Sequence, residues 1–453
     1  MIDFLSLYIL TFNCARNPID VDRFAPHFFD ALPPTDDASS PPPPDLIVLS
    51  LQEIAPIAYA FLGNTFLAPY LSAFSQLVDV AVARRWACHY VTVATENVGM
   101  TGLLVFARSD VADGIAAIET AQVGLGVQQM GNKGAVGARL AVTMPNAPDD
   151  TADLTFVAAH LAPMEHAVER RNRDWRSIVE KLVFGPESSP TRGDYERADD
   201  ELERETLLHG PTSSRHAAEY RGLFAPTSYL FLAGDLNYRT ANVSPRLEDQ
   251  GRFPRNDVEP TSPRHYSHLL QQDQLTREMK QSRCFHGLSE APITFAPTYK
   301  YTHAARRAAA RVGTSEDDDD DSPDGLWTST RWPSWCDRIL YLETPPGTGR
   351  EEARVQTGEY RALPLFPTSD HRAVALSVSV PLTSVRPGDD TAPTAPFPID
   401  PAWASKRDAA RRKELAVGGL AYLTLTWEGN GLLVASAIGI FGAWLVLRSL
   451  FNA

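Results

Sequence analysis

The chain has 453 residues, 43% hydrophobic and 22% charged, an ordinary globular composition with room for one large core or two smaller ones. A formal net charge of −14 argues against a sequence-independent hold on DNA or RNA, which needs a basic surface, so no nucleic acid partner is expected. Cys14, Cys88, Cys284 and Cys336 lie far apart with no CxxC pair, which supports neither a zinc site nor a disulfide framework and suits a reducing compartment.

The opening MIDFLSLYIL lacks a basic flank and a small-residue cleavage site and runs straight into Thr11-Phe12-Asn13, so it reads as a first core strand. Further apolar runs at Leu46–Leu51, Leu103–Ala107, Val136–Val142, Leu154–Ala159, Tyr229–Ala233, Ile339–Leu342 and Ala373–Val380 also read as strands. Several are apolar on both faces, which calls for sheets covered on both sides. Helical patterns fall at Met164–Phe184 and His265–Met279. Strands and helices do not alternate strictly, so the expected fold is α+β with two packed mixed sheets flanked by helices. Polar insertions interrupt it near 33–44, 185–227 and 302–328, the last holding the acidic run Glu316–Asp321, read as a solvated loop.

Residues 381–413 read as a linker, first Pro-rich, then basic through Lys406, Arg407, Arg411, Arg412 and Lys413. A membrane tail is expected over 414–453. From Gly429 to Leu447 no residue is charged, and at 1.5 Å per residue roughly 19 residues just cross a 30 Å hydrocarbon core. So few residues follow that insertion is expected after translation, as a tail anchor. The basic cluster before the span keeps the rest of the chain in the cytosol. Leu415–Trp427, apolar but short, could be an interfacial helix.

Polar residues collect where the strands end: Asn13, Gln52-Glu53, His160, Asp235, Asn237 and Asp370-His371. Taken singly, each is more often a turn former or a structural group than a catalyst. Together they are the inventory for one hard metal, which takes carboxylate oxygens, plus proton transfer. No Cys-x5-Arg loop and no GxxxxGK[ST] occurs.

Five strings, in order, carry a resemblance: Gln128-Gln129-Met130-Gly131-Asn132-Lys133-Gly134, Gly234-Asp235-Leu236-Asn237-Tyr238-Arg239, Pro297-Thr298-Tyr299-Lys300-Tyr301, Pro333-Ser334-Trp335-Cys336-Asp337-Arg338 and Ser369-Asp370-His371-Arg372. Over about residues 5–380 the chain resembles the inositol polyphosphate 5-phosphatases of the DNase I-like endonuclease, exonuclease and phosphatase superfamily. With its tail it looks like the tail-anchored fungal phosphatidylinositol 4,5-bisphosphate 5-phosphatases. The resemblance implies a four-layer DNase I-like sandwich over residues 1–380 and Mg²⁺-dependent removal of the 5-phosphate from phosphoinositide lipids. With the tail, it places the enzyme on the cytosolic face of a membrane, the endoplasmic reticulum first.

Carried over residue by residue, it implies that Glu53, helped by Asn13, holds Mg²⁺ against the scissile phosphate. Asp235 would orient and deprotonate the attacking water. His160 and Asn237 would donate to the phosphate oxygens. His371, held and kept protonated by Asp370, would stabilise developing negative charge, with Asp337 and Arg338 supporting the site from behind. Tyr299, Lys300 and Arg331 match the grip on the 4-phosphate, and Asn132 and Lys133 the contacts to the 1-phosphate. Ser329 stands where the family often has a second basic residue. A nuclease or a sphingomyelinase-like phosphodiesterase of the same superfamily is the alternative enzyme, and an inactive membrane scaffold the alternative of another class. Residues up to about Val380 are expected to suffice for hydrolysis of soluble inositol phosphates.

Overall fold

From Leu7 to Asn13 the first strand, Phe4–Asn13 (β1), is buried at every residue, so both of its faces need cover. In the computed structural model a second sheet covers one face and helices the other. The structure describes residues 4–33, 41–144, 147–186, 221–255, 258–311, 325–347, 351–382 and 395–451. The later strands are Leu46–Gln52 (β2), Tyr90–Val98 (β3), Thr101–Arg108 (β4), Ile115–Gly124 (β5), Gly134–Met144 (β6), Ala147–His160 (β7), Gly185–Pro186 (β8), Ser228–Asp235 (β9), Asp337–Tyr341 (β10), Gln356–Leu365 (β11) and Arg372–Pro381 (β12). They form two mixed sheets, β11-β12-β1-β2-β4-β3 and β10-β9-β7-β6-β5-β8.

The helices that matter below are Ile57–Leu62 (α1), Ala68–Ala83 (α2), Val168–Lys181 (α3), Tyr266–Leu270 (α4), Gln274–Lys280 (α5), His303–Arg311 (α6), Trp403–Leu425 (α7) and Trp427–Phe451 (α8). Phe74, Leu77 and Val78 of α2 pack on the first sheet, and Trp175, Ile178 and Val179 of α3 on the second. The result is the expected sandwich: helix, sheet, sheet, helix.

Each sheet holds one parallel pair, β1 with β2 and β7 with β9, among antiparallel neighbours. A parallel pair ends both strands on one edge, so Asn13 stands beside Gln52 and His160 beside Asp235. Antiparallel neighbours start on that same edge, which sets Asp337 opposite Asp235 and the start of β12 beside the end of β1. The two parallel pairs face each other across the core, tied by the Ser50 hydroxyl donating to the Ala233 carbonyl at 2.8 Å. Topology alone therefore gathers the strand-end residues at one rim.

Gly234 makes this approach possible. A Cβ there would sit 1.9 Å from the Ala159 carbonyl oxygen on β7. Gly234→Ala is expected to lower stability by about 1–3 kcal/mol and to displace Asp235, which a thermal melt run beside an activity assay would check.

Four strands escaped the apolar-run criterion, among them the two-residue β8. β3, β5 and β11 are half-exposed, and their polar outer faces break the run. The helix expected over His265–Met279 is two helices, because the Asp273 carboxylate accepts the Thr276 N–H at 2.9 Å and starts a new one. Residues just after Thr302, read as insertion, form α6. Most of the 33–44 and 185–227 insertions, the run Glu316–Asp321 and residues 383–394 of the linker lie outside the described residues. The boundary expected between linker and tail at 413/414 falls inside α7, which docks on the globular part. α8 is long and apolar enough to cross a membrane.

Candidate active site

Asp235 ends β9 at the centre of the rim, 2% exposed. Its Oδ2 accepts from Asn13 Nδ2 at 2.9 Å and lies 3.2 Å from His160 Nε2, while its Oδ1 accepts the Asn237 N–H at 3.1 Å. Burial pushes this carboxyl up. The hydrogen bond from His160 and the charges of His371 and Lys133 outweigh burial and hold it far below the usual range. Asp235 is therefore ionised. Burial and the Lys133 ammonium push the His160 imidazole down, so it is neutral.

Asn237 has a φ of 58°, in the left-handed region that asparagine adopts more readily than most residues. Its Nδ2 donates to the Leu161 carbonyl at 3.1 Å, and its Oδ1 accepts from Arg239 Nη2. Arg239 thus fixes the amide's orientation and leaves its second N–H available.

His371 corrects an expectation. Its Nδ1 lies 2.9 Å from Asp337 Oδ2, and Asp370 instead accepts from Lys300 at 2.5 Å. Asp370 and His371 are consecutive at the start of β12, and consecutive residues of an extended chain point to opposite sides. Burial pushes the His371 imidazole down. The Asp337 charge and hydrogen bond, then Asp235 and Asp370, overcome that and raise it to about 9. Thr298 steadies the dyad by donating to Asp337 at 2.6 Å.

Glu53, with a φ of 47°, follows β2 and presents its carboxylate to Arg16 at 3.1 Å and Lys133 at 3.6 Å. With the Asn13 side chain on the adjacent strand, it offers hard oxygen donors suited to a divalent cation that keeps several waters. The residues fit a metal here. A second candidate group, Asp235, Asp337 and His371, has donor atoms within 4.8 Å of one another. Within it Asp337 and His371 are already paired at 2.9 Å, an arrangement suited to proton transfer.

Lys133 reaches the rim, its Nζ against the His160 ring. Asn132 turns away from it: a Cβ at Gly126 would meet the Asn132 Oδ1 at 1.8 Å, and that oxygen is buried without a partner. The Tyr299 ring lies 4.5 Å from the His371 ring and under the Arg239 guanidinium. Lys300 is paired with Asp370 as above, and Arg331 Nη1 faces buried Glu165 at 3.8 Å. Arg338 points away from the site and is fully buried between Glu290, at 2.7 Å, and Asp273, at 3.0 Å. Arg338→Ala would strand two carboxylates and should cost about 3–5 kcal/mol, measurable by urea denaturation. Sequence reasoning assigned no role to Arg16, Thr298, Arg239 or Ser369, although the last three sit inside quoted strings. Ser369 Oγ donates to the Asn13 carbonyl at 2.6 Å and accepts the His371 N–H at 3.0 Å.

The model of endonuclease/exonuclease/phosphatase family 2 matches residues 10–377. The chain belongs to that family. Its relatives include the type I inositol polyphosphate 5-phosphatase 13 of Arabidopsis thaliana, 30% identical over 54% of this chain and 19% of the relative. The phosphatidylinositol 3,4,5-trisphosphate 5-phosphatase 1 of Xenopus laevis is 26% identical over 84% of this chain and 31% of its own length. The chain therefore spans about a fifth to a third of these curated family members. Among solved structures, the inositol polyphosphate 5-phosphatase domain of SPsynaptojanin, solved with inositol (1,4)-bisphosphate and calcium ion, aligns over 91% of this chain and 90% of its own. Its TM-score is 0.55 at 21% identity, which shows the DNase I-like fold.

Proposed function

We propose that this family member is a Mg²⁺-dependent phosphatase that removes the 5-phosphate from phosphatidylinositol 4,5-bisphosphate, with related phosphoinositides and inositol phosphates as further substrates. One observation carries the reading: the Asp235 carboxylate and the Asp337-held His371 imidazole share a buried rim with the Asn13 and Asn237 amides, His160 and the Lys133 Nζ. The net charge of −14 repels a polyphosphate at long range, so attraction must be local.

Phosphate-monoester hydrolysis needs up to roughly 10²¹-fold acceleration, most of it from in-line positioning and neutralising oxygens. Asp235 orients a water and takes its proton as the new P–O bond forms and the bond from phosphorus to the inositol 5-oxygen breaks, that oxygen taking up a proton and leaving as a hydroxyl. His371, as imidazolium, faces the growing negative charge, and Asn237 offers its free N–H. Asp337 holds the ring so that Nε2 carries the proton forward. A divalent ion held by Glu53 and Asn13 would supply Lewis-acid neutralisation of the scissile phosphate. Tyr299, Lys300 and Arg331 are proposed to meet the 4-phosphate, with Lys133 on the 1-phosphate side. The relatives' names support the 5-position and α8 a membrane location; we place the catalytic part on the cytosolic side, at the endoplasmic reticulum first. Anchoring turns a search through volume into one over a surface.

The full chain in mixed micelles of phosphatidylinositol 4,5-bisphosphate should release orthophosphate with Mg²⁺ and none with chelator, leaving the 4-phosphate lipid. Nucleotides from DNA, or phosphocholine from sphingomyelin, would replace this reading with a diesterase.

A further inference from the structure

The tail is far in sequence from the active site, yet it touches the loop that carries Lys133. α7 lays Ala410, Glu414, Gly418 and Ala421 against the globular part, positions that share one helix face. A Cβ at Gly418 would meet the Phe61 Cβ of α1 at 2.8 Å, so the two helices pack at close range. Glu414, 0% exposed, is the acidic centre of this contact. Its Oε1 accepts the Gly131 backbone N–H at 2.9 Å and Arg407 Nη1 at 2.8 Å. Its Oε2 accepts from Arg411 Nη1 at 3.3 Å, and Arg411 also donates to the Phe61 carbonyl at 2.7 Å.

Gly131 is held from its other side as well. Its carbonyl accepts the Met100 N–H at 2.9 Å, and a Cβ there would lie 2.7 Å from the Gly99 nitrogen. Two residues on, Lys133 anchors its carbonyl on the Leu125 N–H at 2.7 Å and sends its Nζ between Glu53 and His160. One buried carboxylate on the tail helix is thus two residues from an ammonium in the active site.

We propose that Glu414 is a positioning residue. By holding the Gly131 peptide it sets the loop that carries Lys133, so docked α7 completes the site rather than merely tethering it. The proposal rests on the phosphatase reading above and adds control of that site by the tail helix. It also predicts, against the expectation drawn from sequence, that a cut near Val380, which removes Glu414, lowers hydrolysis of soluble substrates.

Two conservative variants separate reach from charge. Glu414→Asp keeps the charge that Arg407 and Arg411 need but withdraws the oxygen from Gly131. Glu414→Gln keeps the reach and loses the charge. The assay is orthophosphate release from inositol 1,4,5-trisphosphate by the full chain in detergent, where delivery by the membrane plays no part, with melting temperatures measured alongside. Because small misplacements of catalytic groups are costly, Glu414→Asp is expected to lower kcat/KM roughly ten-fold or more; Glu414→Gln, which sets an amide N–H against the Arg411 guanidinium, is expected to melt lower than wild type yet to keep more of its kcat/KM than Glu414→Asp. In Glu414→Asp/Lys133→Ala the loss should equal that of Lys133→Ala alone, since both act through the same ammonium. Losses that multiply in the double variant, the reverse order of Asp and Gln, or two unaffected single variants would overturn the proposal while leaving an active wild type. A wild type that releases no orthophosphate from this substrate or from phosphatidylinositol 4,5-bisphosphate micelles overturns the phosphatase reading and this proposal together.

Discussion

Asp235→Asn is expected to lower kcat/KM on the order of 10³- to 10⁴-fold, the scale of losing a general base held in place. The substitution keeps shape and removes charge. It also mismatches hydrogen bonds, because both carboxylate oxygens accept: Oδ1 from the Asn237 N–H, Oδ2 from Asn13 and His160. An amide has one acceptor and one donor, so either orientation sets an N–H against an N–H. A loss of about 1–3 kcal/mol of stability should accompany the kinetic defect. Orthophosphate release and a thermal melt on the same preparation would separate the two. Activity near wild type would remove Asp235 from the mechanism.

Asp337→Asn should have the next largest effect, and its signature is in the pH profile. The folded value of about 9 for His371 lies above the ordinary imidazole value of 6.5. The sign follows: stability from the imidazolium is present in full below pH 6.5 and is lost as the pH rises through about 9. Activity that needs the imidazolium should fall on the same alkaline limb. Removing the Asp337 charge takes away the largest influence that raises the value, so the limb should move to lower pH, with activity at neutral pH falling roughly 10²-fold. Asp370→Asn should move the limb less, because that carboxylate is paired with Lys300. A rate profile from pH 6 to 10 for the three proteins would decide which aspartate holds the ring. An unmoved limb in Asp337→Asn would count against the dyad.

The amino-acid sequence by itself determined the core strands, the doubly covered sheets and the apolar C-terminal helix. Those features are written in runs of residues, and burial acts on runs directly. It also marked where chemistry would lie, since polar side chains at the ends of apolar strands stand out against what precedes them. Half-exposed β3, β5 and β11 were less legible, because a strand with one wet face shows weaker contrast.

Pairings belonged to the tertiary structure. His371 stands next to Asp370 in sequence but pairs with Asp337, because neighbours on an extended chain face opposite sides while β9, β10 and β12 meet at one rim. The same alternation sends Asp337 into the site and Arg338 into an ion network behind it. Glu414 and Gly131 stand 283 positions apart. No local propensity links a tail helix to a glycine loop at that distance. Only the close packing of α7 on α1, open because Gly418 has no side chain to hold the helices apart, brings the carboxylate to the peptide it binds.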